Sequence, residues 1–180
     1  MRLLFFFFFW FAMTTANHAQ TAPRFIKTVI GDSGCKIYLP GKADPVGVSF
    51  SPDSSLVYTI ETLDSTTGAY YHFGSVLVNL NNVDLEGQEE DILVAYMDYL
   101  KTAFKIEEAV GYGKGHSLST HSSAKGVLDY WKDSGGDQWA VKGWAAESTI
   151  FVMFVYGPGE YPNSNVMDVF FKGARFKGDE

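Results

Sequence analysis

The chain has 180 residues, with 21 acidic and 14 basic side chains and a formal charge of −7. That balance repels nucleic-acid phosphates and anionic membrane surfaces, so neither is an expected partner. Cys35 is the one cysteine, which excludes an internal disulfide and leaves stability to packing.

Arg2 is followed by an apolar run, "LLFFFFFWFAM", over residues 3–13, and then by the polar, small-residue stretch "TTANHAQTAP". A membrane-spanning helix needs ~20 apolar residues, so the run predicts a signal peptide over 1–19 and an exported protein, periplasmic or extracellular. Ala19 and Ala16 both place a small residue at the cut, and an uncleaved anchor is the alternative. After cleavage no stable membrane insertion is expected. Residues 20–34 form a weakly patterned lead-in, and 35–180 a single domain. In "GCKIYL" Cys35 sits at a strand entry, where a buried thiol is inert rather than catalytic.

Strands are expected from Cys35 onward. "CKIYLP" stops at Pro40, and Pro45 and Pro52 punctuate a turn-rich connection. "LVYTIETL" alternates, with Leu56, Tyr58 and Ile60 on one face, and "YYHFGSVLVNL" pairs with it as a hairpin. The period then changes to 3.6 in "EGQEEDILVAYMDYLKTAFK", where Ile92, Leu93, Tyr96, Met97, Leu100, Ala103 and Phe104 form a stripe. Acidic residues crowd its beginning and lysines its end, which matches the helix dipole and makes the acidic cluster a solvated helix start rather than a cation site.

Four further strands are expected over 106–120, 124–132, 138–147 and 149–156, with "KDSGGDQ" as a hairpin loop. "STIFVMFVYG" is apolar on both faces and needs cover from both sides. "NSNVMDVFFKGARF" supplies a second helix, capped by Asn163 or Ser164 and stopped near Gly173. The expected fold is α+β, an antiparallel sheet sandwiched between helices.

This order resembles the PsbP-like α/β/α sandwich family. The similarity rests on "KIYLPGK" at 36–42, "HSSAKGVLDY" at 121–130, "FVMFVYG" at 151–157 and "VMDVFFKGARF" at 166–176. It covers roughly residues 35–177. The resemblance implies a binding or assembly role, and the family offers no catalytic residue set to carry over.

The stretch "VGYGKGHSLSTHSSAKGV" at 110–127 holds the chain's most reactive-looking residues. A phosphate loop fails because Lys114 is followed by Gly115 and no helix begins there. "GHSLS" falls one glycine short of a nucleophile elbow and lacks the strand-to-helix turn that exposes the serine. A Ser/His pair of Ser117 or Ser119 with His121 is the hydrolase alternative. His116 and His121 are five apart, which puts them on opposite faces of a regular strand, and with His72 they do not compose a zinc site. The reading adopted is a polar strand and turn, with Gly111, Gly113 and Gly115 at a bulge where another backbone approaches.

Asp129, Asp133 and Asp137 lack calcium-loop spacing. Trp131, Trp139 and Trp144 belong mostly to the core, with one able to stand at a rim and meet a ligand. They are the candidate binding residues. The expected function is an exported, non-catalytic binding or accessory protein with a protein or small-molecule partner and no cofactor. The alternatives are a small secreted hydrolase using Ser117 and His121, with His116 as a further candidate, and a weak metal-binding accessory protein.

Overall fold

A computed structural model describes residues 23–64 and 70–180. The expected signal peptide lies outside the described residues. Phe25–Val29 (β1) pairs antiparallel with Lys36–Pro40 (β2) as a two-stranded sheet. The remaining strands are Gly47–Phe50 (β3), Leu56–Asp64 (β4), Tyr71–Asn79 (β5), Ile106–Ala109 (β6), Gly113–Leu118 (β7), His121–Asp133 (β8), Gln138–Ala146 (β9) and Thr149–Gly157 (β10). They form one antiparallel eight-stranded sheet in the order β3-β4-β5-β10-β9-β8-β6, with β7 also paired to β8. The helices are Glu89–Ala103 (α1) and Ser164–Phe171 (α2).

The sheet's centre is β10, apolar at every position from Ile150 to Val155. Alternation along the strand separates two cores. Ile150, Val152 and Phe154 join Leu93, Met97 and Leu100 of α1 on one face. Phe151, Met153 and Val155 join Ile37 and Leu39 of β2 and Phe170 and Phe171 of α2 on the other. The helical stripe and the dipole-matched charges of α1 are as the sequence predicts. Asn163 caps α2 by accepting a 2.9 Å bond from the Asn165 amide. The Gly173 amide donates to Phe170 O as that helix ends.

The helix-sandwiched PsbP-like α/β/α arrangement is not what the chain forms: it is mostly antiparallel strand, in two sheets. Both faces of β10 are covered, as its composition requires, but the second face lies under a different layer. "FIKTV" of the lead-in forms β1 and takes β2 as its partner, so "KIYLP" packs over the large sheet instead of extending it. At eight residues α2 is too short to cover a wide sheet alone, and it fills the space left beside the β1–β2 ribbon.

The single strand expected over 106–120 is also broken. Gly111, at φ +116°, turns the chain between β6 and β7, and the β7–β8 register shifts between Gly113 and His116. The bulge is therefore present. Of the three glycines only Gly113 meets another backbone, with Leu128 O 3.7 Å from where a Cβ would stand, and the tightest approach in the stretch is to a side chain, since a Cβ on Gly126 would enter the Trp144 ring.

Candidate functional site

The edge formed by β7 carries His116 and Ser117, which with Lys125 and the start of α1 line a cleft of about 490 Å³. Two of its carboxylates are tied to β7. Lys114 Nζ pairs with Asp91 at 2.8 Å, and the Gly115 amide donates to Glu90 Oε1 at 2.7 Å. These bonds fasten the bulged strand to the helix start. The Lys114 bond and charge hold the Asp91 carboxyl below the usual range.

The histidines diverge from there. His116 Nδ1 lies 3.4 Å from Lys142 Nζ. His121, across the turn, sets Nδ1 3.0 Å from Asp179 Oδ1 and packs on Phe176. Asp179 also accepts from the Phe176 amide, so His121 helps anchor the C-terminal segment. Ser117 is exposed on β7, opposite Lys125, and no hydrogen bond joins it to His121 among the described residues. Nor is any group of three or more His, Cys, Asp or Glu placed to hold a metal ion there. Cys35 is buried, and desolvation pushes its thiol pKa up, as expected for an inert group.

The three tryptophans are buried, and each indole N–H is used. Trp131 Nε1 donates to Asp129 Oδ2 at 2.7 Å, Trp144 Nε1 to Phe171 O at 3.0 Å, and Trp139 Nε1 to Asp133 Oδ2 at 2.9 Å. Asp133 also accepts from the Gly135 and Asp137 amides, so the β8–β9 turn holds Trp139 in place. Asp129, Asp133 and Asp137 do not converge on one point: the first is buried under α1 and the second caps the turn.

Trp139 alone of the three extends into an aromatic row. Tyr156 stacks on it at 3.9 Å between centroids, His72 stacks on Tyr156 at 4.6 Å, and Phe104 covers the other side at 5.0 Å. Strand pairing puts these rings together, since Tyr156 sits opposite both Trp139 and His72. At the far end of the row, Glu61 Oε1 takes a 2.6 Å bond from His72 Nδ1 and a 3.2 Å bond from Tyr156 OH. Burial, then the Glu61 charge, raises the Tyr156 pKa well above its ordinary value. Glu61 Oε2 takes no bond among the described residues.

A groove of about 220 Å³ opens beside this row, lined by Asp44, Thr59, Glu61, Val76, Phe104 and Phe154. It has apolar walls, a hydroxyl and two carboxylates, one with a free oxygen. Drug-sized pockets run to ~300–1,000 Å³, so the groove suits a fragment-sized molecule or one side chain of a partner. Sequence reasoning reached one member of the row, Trp139, and missed the groove, whose walls come from β4, β5, β10 and the end of α1. Strand parity offered the one usable signal, because Glu61 and Val57 share the face opposite Tyr58 and Ile60.

Among the described residues no helix is long and apolar enough to cross a membrane. No family model and no curated protein matches the chain.

Proposed function

We propose that the chain is an exported, non-catalytic binding or accessory protein, and that it takes its ligand in the groove beside Phe104, Phe154 and Glu61. The supporting observation is the row His72–Tyr156–Trp139–Phe104, which ends at a carboxylate with an unused oxygen. Phe104, fixed by its stack on Trp139, and Phe154 form a rigid apolar wall at low entropic cost, and a free carboxylate oxygen orients a donor against it. The leader-like segment before residue 20 supports export. The exposed Ser117 and the Asp179-bound His121 lend nothing to a hydrolase, so binding is preferred to turnover.

The test uses ligand-observed NMR with indole, p-cresol and cyclohexylamine as probes. At least one should bind, and Thr59→Trp, which fills the groove from an exposed position, should abolish that binding while leaving the fold intact. Absence of binding, together with ester hydrolysis lost in Ser117→Ala or His121→Ala, would carry the hydrolase reading instead. Export is checked separately by N-terminal sequencing of the protein from its host. The mature chain should begin at Gln20 or Asn17, and intact Met1 in the cytosol would overturn the localisation.

A further inference from the structure

Lys142 occupies an unusual place. It stands on β9, an interior strand of the large sheet, with apolar Leu128 opposite it on β8 and Met153 on β10. Side chains opposite one another point to the same face of a sheet, so its cross-strand neighbours offer the ammonium no acceptor. It forms no ion pair among the described residues. Its near contacts are the Trp144 ring, with Nζ 4.7 Å from the centroid, and His116 Nδ1 at 3.4 Å. The other lysine deep in the molecule, Lys101, is paired with Asp129.

We propose that Lys142 is a reactive amine, a site at which small aldehydes and related carbonyl compounds form an imine, with His116 as the proton relay. The neutral Nζ lone pair attacks the carbonyl carbon, forming the C–N bond as the carbonyl π pair moves to oxygen. One N–H proton passes through His116 Nδ1, in the tautomer with its own proton on Nε2, to the alkoxide, giving the carbinolamine, and the second N–H proton follows the same route to its hydroxyl. That hydroxyl leaves as water and the C=N bond forms, with no net oxidation or reduction. A lysine desolvated among apolar groups is the usual source of such a nucleophile.

The charged surroundings agree. Burial lowers the Lys142 pKa, Asp168 on α2 opposes this and Lys172 on the same helix adds to it. His116 is also shifted down, by burial and then by Lys142, with Glu90 opposing, so it is suited to accept a proton at neutral pH. This inference does not depend on the aromatic groove, since Lys142 shares the Met153 face of the sheet and the groove opens on the Phe154 face.

The experiment is a competition among the lysines of the folded chain, using limiting [13C]formaldehyde with cyanoborohydride as the trapping hydride donor at neutral pH. Methylation is then located by peptide mass spectrometry. Lys142 should be labelled several-fold faster than the exposed Lys27 and Lys42. The preference should vanish in urea, and His116→Ala should slow Lys142 without changing Lys27. The NMR titration of the methylated amine should place Lys142 below Lys27. Labelling of Lys142 at or below the rate of Lys27 in the folded protein overturns the proposal. A preference that survives unfolding overturns it too, because it would then belong to local sequence. An unchanged Lys142 rate in His116→Ala removes the relay.

Discussion

Lys101 Nζ lies 3.1 Å from Asp129 Oδ2, and the carboxylate is fully buried. The pair joins α1 to β8. Asp129 also accepts from the Gly111 amide, the Tyr130 amide and Trp131 Nε1, so its charge is met from several sides. Burial works against the Lys101 charge, yet the bonds to Tyr112 and Asp129 outweigh it and its pKa is raised. Breaking a buried pair from one side leaves an uncompensated charge, typically at ~3–5 kcal/mol. Asp129→Ala should cost about that, because it leaves the half-buried Lys101 with only Tyr112 and Asp98 and strands an indole N–H and the amide that fixes the Gly111 turn. Lys101→Met should cost less, since three N–H donors still satisfy the carboxylate. Urea denaturation of the two variants gives the order, and equal costs would contradict it.

Gly126 is the position in the polar stretch where a side chain cannot be admitted. A Cβ there would enter the Trp144 ring and lie 3.0 Å from His116 Cβ. Overpacking of this kind typically costs ~1–3 kcal/mol, and Gly126→Ala should fall in that range. Exposed Ser117→Ala should shift stability by less than ~0.5 kcal/mol. Thermal melts of both variants distinguish a structural role centred on residue 126 from one centred on the residues that look chemical.

These contrasts mark what the sequence could and could not carry. The stripe that buries Leu93, Met97 and Leu100 repeats at helical spacing, so α1 is readable from its residues alone. The two-faced apolarity of β10 likewise states that both its faces are covered. What covers the second face is not stated, because "FIKTV" shows no clean alternation of burial and its partner is chosen by tertiary packing. The groove is less legible still. Its lining runs from Asp44 to Phe154, brought together by strand register and by the docking of the end of α1. A motif search finds local spacing, and this site has none.

Tyr96 gives the fold an alkaline limit. Burial against α1's own surroundings, with Tyr99 nearby, pushes its pKa up to about 12. In the unfolded chain the same phenol ionises near the ordinary value of ~10. The folded state therefore binds the proton more tightly. The stability this contributes is full below pH ~10 and is lost as pH rises through about 12. Tyr96→Phe keeps the ring and removes the titration, so its stability should decline less steeply over that window. Parallel urea titrations at pH 9 and 11 measure the difference, and identical slopes for the two proteins would remove Tyr96 from the account.

Leu100 and Phe170 test the two-core arrangement directly. Leu100 is 3% exposed and packs with Met97, Val152 and Trp131 on the α1 side. Phe170 is fully buried on the other side, edge-on to Phe73 at 5.1 Å. Neither cluster includes the other residue, and the alternating side chains of β10 stand between them. Each change to Ala removes a large side chain from a packed core, which typically costs ~2–5 kcal/mol, with phenylalanine toward the upper end. Residues with no shared partner act independently, so the double variant should lose the sum within ~0.5 kcal/mol. A double-mutant cycle by chemical denaturation measures this. Coupling well above that limit would mean that the two cores communicate through the sheet and form a single packing unit.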